Sequence, residues 1–297
     1  MTSPSLPTLD VEHSWVTAGG LRLHCAHAGM DRGGSPPLIL LHGFPDHWTG
    51  WSPQMAALAE NRLVIAPDGR GINLSDAPAE VGAYHLDRLV DDVLAVAEAF
   101  APGQTVDLAG HDWGGVVAWA AISRHPERFR RLAILNAPHP GVLGEALAND
   151  PVQKAASSYV DALRAEDAEA QLAADDFAPL LAAFAELTRA GRFSEDDRQR
   201  YRQAWGRPGR LSGALNWYRA ADFLEHPDQA PWPARALPHP VLMIWGEDDL
   251  ALPPSLIEAH RPLAANLTVE RLAGCGHWTG QEAPERVNPL LISHFAV

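Results

Sequence analysis

The six residues Gly110-His111-Asp112-Trp113-Gly114-Gly115 constrain this chain more than any other stretch. Ahead of them, Thr105-Val106-Asp107-Leu108-Ala109 is a short, partly apolar run that reads as a buried strand. Behind them, Val116-Val117-Ala118-Trp119-Ala120-Ala121-Ile122 reads as the apolar face of a helix. A strand that runs straight into a helix must turn sharply, and glycines on both sides relieve the backbone and let the helix pack close to the strand. One carboxylate, Asp112, is left at the apex. A carboxylate is a poor nucleophile toward carbonyls, but it can displace a leaving group from an sp3 carbon and form an alkyl ester that water later hydrolyses. An aspartate at a helix start is also an ordinary N-cap. The groups found elsewhere in the chain weigh between the two roles.

At 297 residues the chain can bury a full core, as one domain or as a domain carrying an inserted lid. The net charge of −14, from 23 basic and 37 acidic residues, argues against nucleic acid or an anionic membrane as partner. No apolar run is long enough to span a bilayer. Met1 to Pro7 has neither the basic nor the apolar region of a secretory signal. Two cysteines, Cys25 and Cys275, make no disulfide framework and no metal cluster. A cytoplasmic protein is the expectation. Lys154 is the single lysine among many arginines, which suits a GC-rich bacterial genome.

Residues 11–28 read as a hairpin around Gly19-Gly20. Pro37 to Leu41 is a continuous apolar run, as expected of a strand covered on both faces, and it ends in His42-Gly43-Phe44-Pro45-Asp46-His47-Trp48. Residues 62–67 predict another strand, followed by a glycine-rich loop, Asp68 to Ser75, expected to be structural. Leu86, Leu89, Val90, Val93, Val96, Ala97 and Phe100 recur at helical spacing. Strands follow at 132–135, 241–245 and 267–272, and a closing helix at 284–295. From residue 138 to 232 the text is rich in Ala, Asp, Glu and Arg, has helical periodicity and shows no clear strand. This predicts a helical lid inserted between core segments 1–137 and 233–297, with a Pro-rich exit from Pro231-Trp232-Pro233 through Pro238-His239-Pro240.

The second chemical group is His277, in the loop Gly274-Cys275-Gly276-His277-Trp278. A neutral imidazole can take a proton from water near physiological pH, and a carboxylate should hold its other nitrogen. Of the acids Glu247, Asp248 and Asp249, the last is chosen because two residues separate it from the Trp245-Gly246 strand end, with Asp248 as the alternative. Asn136, at the end of the preceding strand, is not an acid.

Gly110 to Gly115, His42-Gly43-Phe44-Pro45 and Gly276-His277-Trp278 are similar to the motifs of the α/β-hydrolase-fold epoxide hydrolases, with aspartate where other hydrolases of the fold carry serine. The resemblance spans most of the chain. It implies an α/β-hydrolase fold: a mostly parallel central sheet flanked by helices, with a helical cap. It implies the order nucleophile, acid, histidine, met here as Asp112, Asp249 and His277. It also implies an oxyanion hole made by the backbone N–H groups of Phe44 and Trp113. In the lid, Asn216-Trp217-Tyr218-Arg219 looks like the motif carrying one of the family's two ring-opening tyrosines. Ser157-Ser158-Tyr159 stands where the other is expected, with Tyr201 as substitute if Tyr159 is not that group. Phe44, Trp48, Trp113 and Trp217 are expected in the apolar substrate lining.

The activity implied is cofactor-free and metal-free hydrolysis of a small hydrophobic epoxide to a vicinal diol; a homodimer is left open. Two other readings stay open here. A dehalogenase of the same fold would also use Asp112, and Trp113 could hold a halide, but Phe44 offers it no polar side chain. A non-catalytic ligand-binding protein would retain the fold without turnover.

Overall fold

The computed structural model describes residues 10–30, 34–226 and 236–296. Eight strands form one sheet: β1 (Glu12–Ala18), β2 (Leu21–Ala28), β3 (Leu38–Leu41), β4 (Val64–Pro67), β5 (Val106–His111), β6 (Phe129–Leu135), β7 (Leu237–Gly246) and β8 (Ala264–Leu272). Their spatial order is β1-β2-β4-β3-β5-β6-β7-β8. The β1/β2 hairpin and β2/β4 pair antiparallel, and every other neighbouring pair is parallel.

Parallel strands need crossovers that cover both faces of the sheet, so β3 and β4 are apolar throughout, while β5 carries Asp107 and His111 and β6 carries Arg130 and Arg131 among apolar residues. In β3 alternate side chains enter different cores: Ile39 and Leu41 join one with the helix Trp113–Arg124, while Leu38 and Leu40 join the other with Met55. The residues from Trp113 to Ile122 are buried all round the helix, not only along the apolar face the sequence suggests. The helix Leu86–Phe100 packs against it on one side and the sheet on the other.

β7 starts at Leu237, earlier than the apolar run at 241, and takes in Pro238 and Pro240. Prolines argue against a strand in sequence because they cannot donate to the ladder; here the pairing with β8 shifts register between Leu237 and Pro240, which accommodates them. Pro231-Trp232-Pro233 lies outside the described residues. Between β6 and β7 the described chain forms helices and no strand. Part of this segment has its own apolar cluster, Leu180, Phe184, Leu187, Phe193, Tyr201 and Trp205, closed from below by Trp278 of the sheet layer. Among the described residues no helix is long and apolar enough to cross a membrane.

The chain goes from β3 to β4 on one side and returns to β5 on the other. The loops after β3 and β5 therefore leave the sheet in opposite directions and open a crevice at its carboxyl end, where open α/β sheets bind ligands. That crevice holds together only because the helix after β5 sits against the β3 backbone: a Cβ on Gly114 would overlap the carbonyl of Leu41. Gly114→Ala is expected to destabilise the protein by about 1–3 kcal/mol, as overpacking does, read from the midpoint of urea unfolding.

Candidate active site

β5 delivers Asp112 at its carboxyl end in a backbone conformation, φ +51° and ψ −125°, that side chains with a Cβ rarely adopt. The turn lifts the carboxylate off the sheet into the crevice. There the β3 loop meets it: the Phe44 N–H donates to Asp112 Oδ1 at 2.7 Å. Gly43 permits this approach, because a Cβ there would collide with the Asp112 carboxylate. His42 shapes the loop by donating from Nδ1 to the Gly43 carbonyl (2.9 Å) and accepting at Nε2 from Gly69 N–H (3.0 Å). The Trp113 N–H starts the following helix and has no hydrogen-bond partner among the described residues, so it remains a donor directed to the same end.

β8 and its loop bring His277 beside Asp112. Its Nε2 lies 3.4 Å from Asp112 Oδ2, and its Nδ1 lies 2.8 Å from Asp249 Oδ2. Burial disfavours the imidazolium, but the charges of Asp249 and Asp112 outweigh it and hold the His277 pKa well above the ordinary histidine range. Asp249 is fully paired: Oδ1 accepts from the N–H groups of Ala251 and Leu252 (2.9 Å each), and Oδ2 also accepts from Asn136 Nδ2 (2.7 Å). These donors and His277 hold its pKa below the usual carboxylate range against the penalty of burial. Asp248, one residue earlier, is exposed.

Two tyrosines from the helical segment face the carboxylate. Tyr218 is buried, with its ring edge-on to Trp113 (5.1 Å between centroids) and to Phe44 (5.2 Å). Tyr159 opens the helix Tyr159–Arg164, its ring 6.4 Å from that of Tyr218. Tyr159 stays 41% exposed while Tyr218 is buried, and loss of water around the hydroxyls together with the nearby negative charge of Asp112 pushes both phenols above their usual pKa, so both stay protonated donors. Asp112, Trp113, Tyr159 and Tyr218 line one cavity of about 520 Å³, with Val116, Leu143 and Phe223 on its apolar walls.

Residues 36–284 match a family model described as alpha/beta hydrolase fold. Mouse Epoxide hydrolase 4 is 32% identical over 98% of this chain and 80% of its own length. The chain belongs to the epoxide hydrolases of the α/β-hydrolase fold. The Bacillus subtilis AB hydrolase superfamily protein YfhM is 37% identical over 96% of this chain and 98% of that protein. Among solved structures, the Bacillus megaterium epoxide hydrolase in complex with an inhibitor superposes with a TM-score of 0.87 at 28% identity, covering 95% of this chain and 99% of that one. An epoxide hydrolase from metagenomes of hot environments gives 0.84 at 32% identity, covering 97% and 99%.

Three expectations for this hydrolase need correction. Trp48 does not line the cavity: its backbone N–H donates to Asp68 and its ring packs edge-on against His13. Trp217 does not line it either, because its indole N–H is spent on the Arg70 carbonyl (3.0 Å) and its ring lies over Gly69. Phe44 contributes its N–H to Asp112 and its ring edge to Tyr218, but is not among the lining residues. Tyr201, the substitute donor, is elsewhere: its hydroxyl donates to Asp46. Among the described residues no group of three or more His, Cys, Asp and Glu could hold a metal.

Sequence reasoning missed three residues at this site. Asn136 accepts at Oδ1 from Gly246 N–H (3.0 Å) and the Thr279 hydroxyl (3.1 Å) while donating to Asp249, so it braces the acid it was read as failing to replace. His111 Nε2 lies 2.8 Å from the His277 carbonyl. Asp46, only 3% exposed, accepts from Tyr201, from His47 N–H (2.7 Å) and from Gln281 Nε2 (2.9 Å), which joins the helical segment, the Phe44 loop and the His277 loop at one carboxylate. The acid after Pro45 was visible in sequence, but its burial was not.

Burial raises the Asp46 carboxyl to about 6, above the range of an aspartate in an unfolded chain, although His42 and Tyr201 oppose the rise. The folded protein therefore holds that proton more tightly, and Asp46 costs stability progressively as pH rises from about 4 to 6. Asp46→Asn removes the effect. Relative to the parent, the variant should be about 2–3 kcal/mol better at pH 7 than at pH 4, as read from urea unfolding of both proteins at both values.

Proposed function

We propose that this enzyme converts a small hydrophobic epoxide and water to a vicinal diol through a covalent ester on Asp112, with residues 138–232 acting as a cap over the core. The observation that carries this reading is that a carboxylate and two protonated tyrosines share one largely apolar cavity. A strained ring with a poor leaving group needs both a nucleophile at carbon and a proton donor at oxygen. No cofactor is required, and two unpaired buried cysteines agree with a cytoplasmic setting.

In the first half-reaction Asp112 Oδ2 attacks a ring carbon while Oδ1 stays on the Phe44 N–H. The carbon–oxygen bond of the ring breaks, and Tyr159 and Tyr218 bind the departing oxygen and give it a proton. The ester no longer carries the negative charge that Asp112 contributed to the His277 imidazolium. His277 is then a weaker cation, and its proton returns to the tyrosinate. This leaves the neutral imidazole that the second half-reaction requires.

In that second step His277 Nε2 takes a proton from water as the water oxygen bonds to the Asp112 carboxyl carbon. The N–H groups of Phe44 and Trp113 stabilise the oxyanion on Oδ1. Collapse expels the diol oxygen, which accepts the proton back from His277. The new carboxylic acid then protonates His277 and restores the starting pair. Protons balance over the cycle without an outside acid or base.

Four measurements test the proposal. Styrene-type, aliphatic and fatty-acid epoxides should be hydrolysed and haloalkanes left intact; halide release would favour the dehalogenase. Asp112→Ala should be inactive, and in a single turnover with excess parent enzyme in heavy-oxygen water the first diol should carry unlabelled oxygen from Asp112; label in that first product would overturn the mechanism. Tyr218→Phe should slow ring opening by roughly 10- to 150-fold, the worth of one hydrogen bond to a developing charge.

A further inference from the structure

His111 is the last residue of the nucleophile strand, 6% exposed, and the mechanism above gives it no part. Its Nε2 is 2.8 Å from the His277 carbonyl oxygen, so that nitrogen carries the proton and donates. Its ring lies 4.9 Å from the His277 ring and 5.1 Å from that of Trp278. Burial and the neighbouring imidazolium lower its pKa to about 4, so it remains a neutral donor through the working range of the enzyme.

The His277 ring is held firmly on one side only. The Asp249 contact at 2.8 Å is a full hydrogen bond, while the Asp112 contact at 3.4 Å is longer than one. A ring fixed at a single nitrogen can still swing about that bond unless its main chain is anchored. The rest of the loop is tied at its flanks, by Glu282 to the N–H groups of Gly276 (2.6 Å) and Trp278 (3.0 Å). Among the described residues, the bond from His111 is the one hydrogen bond made to the His277 main chain.

Resting on the proposed two-step reaction, we infer that His111 is a positioning residue for the second step: by pinning the His277 carbonyl to the nucleophile strand, it aims Nε2 at the hydrolytic water. Ring opening needs Asp112 and the tyrosines in place and asks only for a positive charge nearby. Ester hydrolysis needs one nitrogen within hydrogen-bond reach of a water proton. The two half-reactions therefore depend unequally on this contact.

The test compares His111→Leu, which removes the donor, with His111→Gln, whose amide can reach the same carbonyl, in pre-steady-state reactions with an epoxide the parent turns over. In His111→Leu, kcat/KM, which reports ring opening, should stay within about twofold of the parent. Its kcat and KM should fall together by about tenfold or more, the worth of one hydrogen bond, and intact-protein mass spectrometry should show alkyl-enzyme building up. His111→Gln should regain most of kcat. Equal loss of kcat and kcat/KM in His111→Leu, parent-like behaviour of that variant, its failure to fold, or no rescue by glutamine would each overturn the inference. Absence of any adduct even in the parent under rapid quenching, with diol still formed, would instead bring down the two-step reading and this inference with it.

Discussion

The site depends on one contact at the crevice: a backbone N–H from the β3 loop donating to a carboxylate oxygen lifted off β5. To make it, two chain segments must approach within the diameter of a methyl group, and Asp112 must hold a left-handed backbone. Conformations of that kind cost on the order of 1–3 kcal/mol and persist only where the surroundings over-determine them. Here the buried helix behind Asp112, the β3 strand beside it and the loop glycines supply that constraint. The geometry leaves one oxygen of Asp112 tied to the Phe44 N–H and the other beside His277 Nε2.

Around this contact the charges form a sandwich, with His277 between two carboxylates whose surroundings differ. Asp249 has every lone-pair direction occupied by main-chain, amide or imidazole donors, so it keeps its charge and its place. Asp112 has a single main-chain donor and faces the cavity, so it is the less restrained of the two. The same imidazole thus sits between one carboxylate fixed by main-chain and amide donors and one that faces the cavity.

The helical segment is bonded directly to the loops of the site. Trp205 donates its indole N–H to the Pro45 carbonyl (2.7 Å), Tyr201 its hydroxyl to Asp46, and Trp278 its indole N–H to the Ala183 carbonyl (2.8 Å). Two of these bonds reach the loop that carries Phe44, and the third reaches the residue after His277. Aromatic side chains suit this purpose because they bury a large apolar surface while one polar atom finds a directed partner. The phenols that face Asp112 belong to the same layer, which ties their position to the anchoring of the layer.

The sequence alone determined the strand–turn–helix around Asp112, the order of Asp112, Asp249 and His277 along the chain, and the helical character of the segment that follows β6. Each is written in local pattern: apolar period, glycine at a turn, residue type at a strand end. Tertiary structure alone decided which aromatic side chains meet the cavity, so that Trp48 and Trp217, chosen for their size, pack elsewhere while Tyr218 faces Asp112. It also decided that Asn136 braces Asp249, that Asp46 gathers three segments and that His111 holds the backbone of His277. The bonds Asn136–Asp249, Asp46–Gln281 and His111–His277 join residues 113, 235 and 166 positions apart in the chain, and the direction of a buried side chain follows from how whole elements pack, which no short stretch of sequence encodes.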